Sequence, residues 1–260
     1  MILVKLGGSV ITDKNVLLLA REDVIKRLAR EISSCKEAMI LVHGAGSFGH
    51  IKAMELGLRQ GAGRVYKNTD VVDVQHDVRA LDAIVVGAFH AAGMPVTSIP
   101  SGAICLFNGG RMVDFPLDVL THYLKIGIMP ITFGDVVMDR TLGATICSGD
   151  DIMRHLAKNL NVTRCIFVTQ VDGIYPTFPP GDGEPPLAQV TPDTPIRFLE
   201  IEKDVTGGMR RKLEIMFDIA GEECEVRIVN GLVPGVLEST LHGLGNGSEI
   251  LTTQKLKRDG

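Results

Sequence analysis

The chain has no tryptophan, no long apolar run and no large excess of either charge. No apolar stretch approaches the roughly 18 residues that a membrane-spanning helix needs. The 27 lysine and arginine residues nearly balance the 31 aspartate and glutamate residues, so no general attraction to nucleic acid or to an anionic membrane is expected. We therefore expect neither nucleic acid nor membrane as a partner. Any anion that the protein binds has to be held by a local group of residues.

Cysteine is sparse and has no paired spacing. The five cysteines, Cys35, Cys105, Cys147, Cys165 and Cys224, are scattered and none forms a CxxC pair. An odd number of cysteines, most of them in apolar stretches, favours buried free thiols over disulfides or zinc ligands. The N-terminal segment lacks the basic region and the long apolar region of a signal peptide. These features predict a cytoplasmic protein.

Short apolar runs rich in valine and isoleucine alternate with amphipathic stretches. MILVKL, AMILVH, RCIFVTQV and EVRIVN are predicted to be buried strands, and Val71 to Ala92 has the apolar spacing of a long helix. This alternation predicts a mainly parallel sheet covered by helices on both faces. A β-hairpin is expected at Asn108 and Gly109, and the segment from Pro176 to Pro186 is predicted to be a surface loop. We expect one domain over residues 1–260.

The first strand runs into KLGGS, at the edge where parallel sheets bind ligands. Lys5 ends the strand, Gly7 and Gly8 let the backbone approach a ligand closely, and Ser9 adds a hydroxyl group. Backbone N–H groups beside a cation make a cradle for an anion. A plain turn explains the segment equally well when it is taken alone.

The second strand runs into VHGAGSFGH, which contains Gly44, Gly46 and Gly49. One glycine suffices for a turn, so three of them suggest backbone amides directed at a ligand. His43 directly follows the strand and is predicted to be structural. His50 is expected at a helix start, where it can donate to a bound anion, although a solvated surface histidine is the alternative. No metal-ligand spacing accompanies either histidine.

The segment CSGDD places Ser148 in N-cap position and two acids in the first turn of a predicted helix. Adjacent helical residues point about 100° apart, so at most one of Asp150 and Asp151 faces a site at the strand end. Helix capping alone accounts for much of this pattern.

The segment DVTGGMRRK is predicted to place Arg210, Arg211 and Lys212 in the first turn of a helix. Such an arrangement opposes the helix dipole unless a bound anion compensates it. Lysines near two glycine segments, together with an acid able to orient them, suit phosphoryl transfer, which depends on positive charge and alignment.

These motifs carry a resemblance to a known family. KLGGS, HGAGSFGH, SGDD, VDGIY and DVTGGMRRK resemble, in this order, the motifs of the amino acid kinase superfamily. HGAGSFGH and ITDK are similar to segments of the isopentenyl phosphate kinases. The resemblance implies a three-layer αβα sandwich, with the phosphoryl acceptor held by about residues 1–165 and ATP by about residues 166–260. It also implies a homodimer that uses ATP with Mg²⁺ to convert isopentenyl phosphate to isopentenyl diphosphate.

The resemblance implies a role for each matching residue. Lys5 would neutralise the transferred phosphoryl group, Lys14 would stabilise the transition state, and Lys212 would stabilise the leaving β-phosphate. Asp150 would orient the lysines, and His50 would donate a hydrogen bond to the acceptor phosphate. The ATP site would comprise Lys5, Leu6, Gly7, Gly8, Ser9, Gly46, Asp172, Tyr175, Gly207 and Lys212. The acceptor site would comprise Ala45, His50 and Gly149, and the protein would supply no metal ligand.

Two departures from the family pattern leave alternatives open. Gln170 stands where the family commonly has aspartate, and Ala45 stands where HGGG is common. A kinase of another small acid, above all a fosfomycin-type phosphonate kinase, would share the loop that ends in His50. Glutamate, acetylglutamate, carbamate and UMP kinases are less consistent with that histidine. A nonenzymatic ligand sensor on the same fold would have no need of the whole set of cations.

Overall fold

The computed structural model describes residues 1–55, 66–199, 206–222 and 224–252. The strands are β1 (Ile2–Leu6), β2 (Met39–His43), β3 (Val96–Ser98), β4 (Leu106–Asn108), β5 (Arg111–Asp114), β6 (Met129–Phe133), β7 (Asp135–Asp139), β8 (Gly143–Cys147), β9 (Arg164–Thr169), β10 (Thr177–Phe178), β11 (Gln189–Val190), β12 (Arg197–Phe198), β13 (Glu225–Asn230) and β14 (Ser248–Ile250). The helices are α1 (Gly8–Ile11), α2 (Glu22–Ser33), α3 (Gly46–Glu55), α4 (Asn68–Ala91), α5 (Ser101–Ile104), α6 (Leu117–Lys125), α7 (Gly149–Asn159), α8 (Thr206–Ala220) and α9 (Val236–Leu241).

An eight-stranded sheet forms the middle layer of the described part of the chain, in the order β11-β14-β13-β9-β1-β2-β6-β3. Every neighbouring pair is parallel except β13 and β14, so the prediction of a mainly parallel sheet is confirmed. Successive side chains of a strand point to opposite faces. Accordingly Leu3 packs in a core with α7 and α8, while Ile2 and Val4 pack in a second core with α2, α4 and α9. The expected three-layer αβα sandwich is confirmed.

Strand register brings the carboxyl ends of the central strands together. Leu6 pairs with His43 on one side and with Val168 on the other, and His43 pairs with Phe133. The segments that follow β1, β2 and β6 therefore leave the sheet at the same edge. This edge is where an open parallel sheet binds ligands.

The expected β-hairpin is also present. Strands β4 and β5 are antiparallel, and Gly109 and Gly110 have φ angles of +58° and +77°. Both N–H groups donate to the carboxylate of Asp139, at 3.0 and 2.7 Å. The hairpin extends a four-stranded sheet, β5-β4-β7-β8, within the described residues.

The prediction of a continuous loop from Pro176 to Pro186 is wrong at its start. Thr177 and Phe178 form β10, which pairs in parallel with β12. Phe178 is buried, and its ring stacks on Phe198 with a centroid distance of 5.8 Å. This aromatic contact holds the short strand despite the nearby prolines.

The cysteines agree with the sequence prediction. In the described part of the chain none of the five forms a disulfide, and all except Cys35 are buried. Within the described ranges, no helix combines the length and the hydrophobicity that crossing a membrane requires.

Candidate active site

The two glycine segments contact each other backbone to backbone at the sheet edge. A Cβ atom added to Gly8 would lie 2.5 Å from the Gly46 nitrogen, and one added to Gly44 would lie 2.6 Å from the Gly8 nitrogen. Gly46 has a φ angle of +51°, and a Cβ atom there would lie 2.1 Å from Thr12 Oγ1. These glycines are therefore required for a close approach between two parts of the chain.

Thr12 links the two segments and was not among the predicted site residues. Its hydroxyl donates to the Gly8 carbonyl at 2.8 Å and accepts from the Ser47 N–H at 3.0 Å. The only signal in the sequence was a polar residue at the end of the apolar run VIT. That pattern does not reveal a partner 35 residues away.

Both glycine segments turn into helices: no helix was predicted after the first segment, and the helix after the second begins earlier than predicted. Helix α1 begins at Gly8 and α3 begins at Gly46, so His50 lies in the second turn of α3 and not at its start. The prediction for His50 was wrong in this respect. The early start is stabilised because the Thr12 hydroxyl satisfies the Ser47 N–H, which has no partner within the helix. The His50 side chain is exposed.

Several backbone N–H groups at this edge donate to no other group in the part of the chain that the structure describes. They belong to Gly8, Ser9, Ala45, Gly46, Gly149 and Asp150. Gly149 lies beside the first two glycine segments, because a Cβ atom there would be 3.4 Å from the His43 carbonyl and 2.9 Å from Lys5 Cε. Unsatisfied N–H groups of this kind, next to a cation, can bind an anion.

A largely buried group of three charged side chains, which we call the Asp150 cluster, comprises Lys5, Asp150 and Lys212. Lys5 Nζ lies 2.7 Å from Asp150 Oδ1, and Lys212 Nζ lies 3.0 Å from Asp150 Oδ2. The Lys5 and Asp150 side chains are 7% and 18% exposed. One carboxylate thus holds two ammonium groups beside the two glycine segments.

Burial and neighbouring charges shift the acid–base behaviour of this cluster. Burial, reinforced by the charge of Lys212 and opposed by Asp150, lowers the pKa of Lys5 to about 8. Burial disfavours ionisation of Asp150, but Lys212 and Lys5 outweigh it and hold the pKa of that carboxyl well below its usual range. Asp150 is therefore ionised at neutral pH and serves as an acceptor of hydrogen bonds.

The neighbouring acid faces a different set of residues, the Asp151 cluster. Ser148 caps α7 by accepting from the Asp151 N–H at 3.1 Å, as its position in the sequence predicts. The Asp151 carboxylate accepts from Ser148 Oγ at 2.6 Å, from Arg154 at 3.2 Å and from Arg211 at 3.1 Å. Only one of the two adjacent acids points to the glycine segments.

Lys14 lies in the turn between α1 and α2, and its side chain is largely exposed. Partial burial of its amine lowers its pKa, and the positive charges of Lys212 and Arg21 lower it further. Lys14 thus adds a third ammonium group within electrostatic reach of the Asp150 cluster.

The prediction for the basic segment of α8 is wrong in detail. The helix begins at Thr206, so Arg210, Arg211 and Lys212 lie in its second turn and oppose the dipole less than expected. Each has a partner: Arg210 lies 4.9 Å from the centre of the Phe198 ring, Arg211 pairs with Asp151, and Lys212 pairs with Asp150. Gly207 is the second residue of the helix.

Asp172 lies on the turn after β9 and is fixed from two sides. Tyr175 Oη donates to one carboxylate oxygen at 3.2 Å, and Asn230 Nδ2 donates to the other at 2.8 Å. Two further residues from the sequence analysis lie at this edge: the Leu6 side chain is fully buried, and the Gln170 side chain is exposed. Asn230 was not predicted; its only signal was its place at the end of the apolar strand EVRIVN.

Within the described ranges, no group of three or more histidine, cysteine, aspartate or glutamate side chains could hold a metal ion. Asp150, which directly follows Gly149 at this edge, already accepts from two lysines. Both oxygens of this carboxylate are thus already in contact with ammonium groups.

Known proteins that are similar to this chain in sequence and in fold belong to one family of kinases. The model of the amino acid kinase family matches residues 1–230. The chain is 37% identical to the isopentenyl phosphate kinase of Thermoplasma acidophilum, over 90% of this chain and 93% of that protein. A solved structure of isopentenyl phosphate kinase has a TM-score of 0.82 and 31% identity, over 96% of this chain and 99% of that one. An isopentenyl phosphate kinase substrate complex has a TM-score of 0.80 and 30% identity, over 96% and 100% of the two chains.

Motif order, sheet topology and these similarities agree over nearly the whole chain. The chain belongs to the amino acid kinase family, in the branch that contains the isopentenyl phosphate kinases.

Proposed function

We propose that this protein transfers the γ-phosphoryl group of ATP to isopentenyl phosphate, giving ADP and isopentenyl diphosphate. One observation carries the proposal: the Asp150 cluster lies at the sheet edge beside backbone N–H groups that have no protein acceptor in the described part of the chain. The similarity to isopentenyl phosphate kinases over 90% of the chain supports the choice of acceptor.

The reaction needs positive charge and alignment more than it needs a base. The second pKa of a phosphate monoester is about 6, so the attacking oxygen is already mostly deprotonated at neutral pH. This oxygen forms a bond to the γ-phosphorus while the bond from that phosphorus to the β–γ bridging oxygen breaks, which releases ADP. The proposed acceptor therefore matches a site that offers ammonium groups and N–H donors.

The lysines have distinct proposed tasks. Lys5 neutralises the moving phosphoryl group, Lys212 stabilises the charge that develops on the β-phosphate, and Lys14 adds positive charge in the transition state. Asp150 holds Lys5 and Lys212 in place, because it contacts both ammonium groups. A magnesium ion bound to the nucleotide would neutralise phosphate charge that these lysines do not reach.

The nucleotide is proposed to lie against the segment from Lys5 to Ser9, against Gly46, and against Asp172, Tyr175 and Gly207. The hydrogen bonds from Tyr175 and Asn230 give the Asp172 carboxylate a fixed orientation, as expected of a group that selects a ligand.

The acceptor phosphate is proposed to lie against Ala45, Gly149 and His50. Ala45 also packs against an apolar cluster that includes Val74, Val78 and Phe133. The Ala45 segment therefore borders an apolar part of the protein, which suits an acceptor that carries an apolar chain beside its phosphate. Isopentenyl phosphate has both parts, whereas glutamate and UMP lack the apolar chain.

The deciding experiment is an acceptor panel with Mg-ATP. Isopentenyl phosphate, fosfomycin, glutamate, acetylglutamate and UMP are tested in parallel, and formation of ADP and of each phosphorylated product is measured. We expect isopentenyl phosphate to have the highest kcat/KM. Turnover of another acceptor without turnover of isopentenyl phosphate would refute the proposal, and turnover of fosfomycin would favour the phosphonate kinase.

The role of His50 is tested separately. His50→Ala is expected to lower kcat/KM for the acceptor while nucleotide binding, measured by calorimetry, stays close to that of the wild type. Equal loss of both would assign His50 a structural role. The homodimer and the cytoplasmic location remain predictions, the first measurable by light scattering coupled to size-exclusion chromatography and the second by microscopy of a tagged protein.

A further inference from the structure

Behind the second glycine segment lies a buried polar network that the proposed mechanism does not use. His43, the last residue of β2, is fully buried, and its ring stacks on Phe133 with a centroid distance of 4.9 Å. His43 Nε2 lies 3.2 Å from Asp82 Oδ1 on α4. The other oxygen of Asp82 accepts from Ser98 Oγ at 2.5 Å. The ring is therefore fixed by stacking on one face and by a buried carboxylate at its edge.

The second ring nitrogen contacts the glycine segment itself. His43 Nδ1 lies 3.1 Å from the Gly44 carbonyl oxygen. A carbonyl oxygen has no hydrogen to donate, so the ring donates from Nδ1. This hydrogen bond sets the orientation of the peptide plane between Gly44 and Ala45.

A trans peptide points its carbonyl and its N–H in opposite directions. With the Gly44 carbonyl directed at His43, the Ala45 N–H points away from the buried ring. In the described part of the chain, this N–H donates to no protein group. Ala45 is also the residue proposed to contact the acceptor phosphate.

We propose that His43, held by Asp82, is a positioning residue that fixes the Gly44–Ala45 peptide so that the Ala45 N–H donates to the acceptor phosphate. The inference rests on the proposed function for the identity of the acceptor, but not for the direction of the N–H group. His43 acts through the backbone, and its ring does not contact the substrate.

Two substitutions separate the contacts of the ring. The amide nitrogen of asparagine resembles Nδ1 in its distance from the backbone, and that of glutamine resembles Nε2. His43→Asn therefore keeps a donor for the Gly44 carbonyl, whereas His43→Gln keeps a donor for Asp82 and loses the one for Gly44. Thermal unfolding followed by circular dichroism verifies that both variants are folded.

The kinetic result should differ between the two variants. A misplaced reacting group lowers the rate by about 100-fold. We expect kcat/KM for isopentenyl phosphate to fall by about this factor in His43→Gln, with the KM for ATP changed by less than about threefold. His43→Asn should retain at least about ten times the kcat/KM of the glutamine variant. Equal losses in both variants, or no loss in either, would overturn the inference.

A binding measurement keeps this test separate from the identity of the acceptor. In protein labelled with ¹⁵N-alanine, the Ala45 amide signal is assigned by its absence in Ala45→Gly, and inorganic phosphate is titrated in. The signal should shift in the wild type and in His43→Asn, and much less in His43→Gln. If isopentenyl phosphate is not turned over but this pattern holds, the proposed function fails and the positioning role stands. An Ala45 signal that ignores phosphate in the wild type would overturn the role.

A second pair of variants covers the case in which His43→Gln does not fold. Asp82→Ala keeps the ring but removes its partner, so the Ala45 response to phosphate should weaken. Asp82→Asn is the matched control, because an amide can donate to Nε2 and accept from Ser98, and it should keep the response. The same response in both variants would overturn the part of the inference that concerns Asp82.

Discussion

Asp150 and Asp151 are neighbours in the first turn of α7, yet they hold cations in different surroundings. Asp150 pairs with Lys5 and Lys212, whose side chains are 7% and 17% exposed. Asp151 pairs with Arg154 and Arg211, which are 40% and 57% exposed. The rotation of about 100° between consecutive helical residues is enough to direct one acid to largely buried lysines and its neighbour to exposed arginines.

The comparison shows that burial of the paired cations, and not the number of ion pairs or the burial of the acid, distinguishes the candidate active site, because the Asp151 side chain is 11% exposed and that of Asp150 is 18% exposed. Exposed ion pairs contribute about 0 to 1 kcal/mol because water and salt screen them. In a buried cluster, removal of one partner leaves the others without compensation, which costs more. The same substitution at the two neighbouring positions should therefore have different consequences.

The largest effect is expected for Asp150→Asn. The amide cannot hold two ammonium groups as an anion does, so both lysines lose their fixed positions. We predict a fall in kcat of at least about 100-fold, measured by the ADP released with isopentenyl phosphate. A variant that remains folded by circular dichroism and has a kcat within a factor of a few of the wild type would contradict the role of the Asp150 cluster.

A somewhat smaller effect is expected for Gly8→Ala, which tests the backbone around that cluster. The new Cβ atom would lie 2.5 Å from the Gly46 nitrogen, so the two glycine segments have to separate. We predict a loss of about 1–3 kcal/mol in the free energy of unfolding and a marked fall in kcat. Gly87→Ala is the matched control: nothing lies within 4 Å of its added Cβ atom, and stability should stay the same or rise. Equal behaviour of the two variants would exclude the steric explanation.

A moderate effect is expected from pH. Because the pKa of Lys5 is lowered to about 8, the free enzyme loses this cation above that pH. We predict that kcat/KM falls about tenfold for each pH unit above this value. In the unfolded chain Lys5 keeps its proton up to its ordinary pKa of 10.5, so between about 8 and 10.5 its contribution to stability rises with pH. If activity falls above this pH while the contribution of Lys5 to the Tm does not fall, loss of the ammonium charge is the cause of the lower activity. An activity that does not change with pH in this range would argue against a role for the Lys5 charge.

The smallest effect is expected for Asp151→Asn, the counterpart of the first substitution. Its partners Arg154 and Arg211 are exposed, so each pair contributes about 1 kcal/mol or less. We predict a change in kcat of less than about fivefold and an unchanged pH profile. A loss as large as that of Asp150→Asn would remove the distinction between the two clusters.

The sequence was sufficient for most of the fold because local patterns dominate there. Alternating apolar runs predicted the parallel sheet, and the pair Asn108 and Gly109 predicted the hairpin. The helix starts at Gly8 and Gly46 were missed because glycine is equally common in turns and carries no periodic signal. Strand β10 was missed because its stacking on Phe198 joins residues 20 apart, which local composition does not reveal.

The candidate site was predictable only in part for a related reason. Lysines, glycines and acids at strand ends indicated an anion site, and the motif order indicated the family. The contacts that organise the site span long separations, such as 62 residues from Asp150 to Lys212 and 58 from Asp172 to Asn230. Thr12, Asn230 and the link from His43 to Asp82 therefore became visible only in the folded chain.

The direct contact of Gly8 with Gly44 and Gly46 has a further consequence. At this contact the two backbones touch directly, so the first glycine segment cannot shift without the second. The spacing between the proposed nucleotide contacts and the proposed acceptor contacts is then set by the packing of two backbones and not by the choice of side-chain rotamers. An acceptor whose phosphate does not reach this fixed position would therefore not be aligned for phosphoryl transfer.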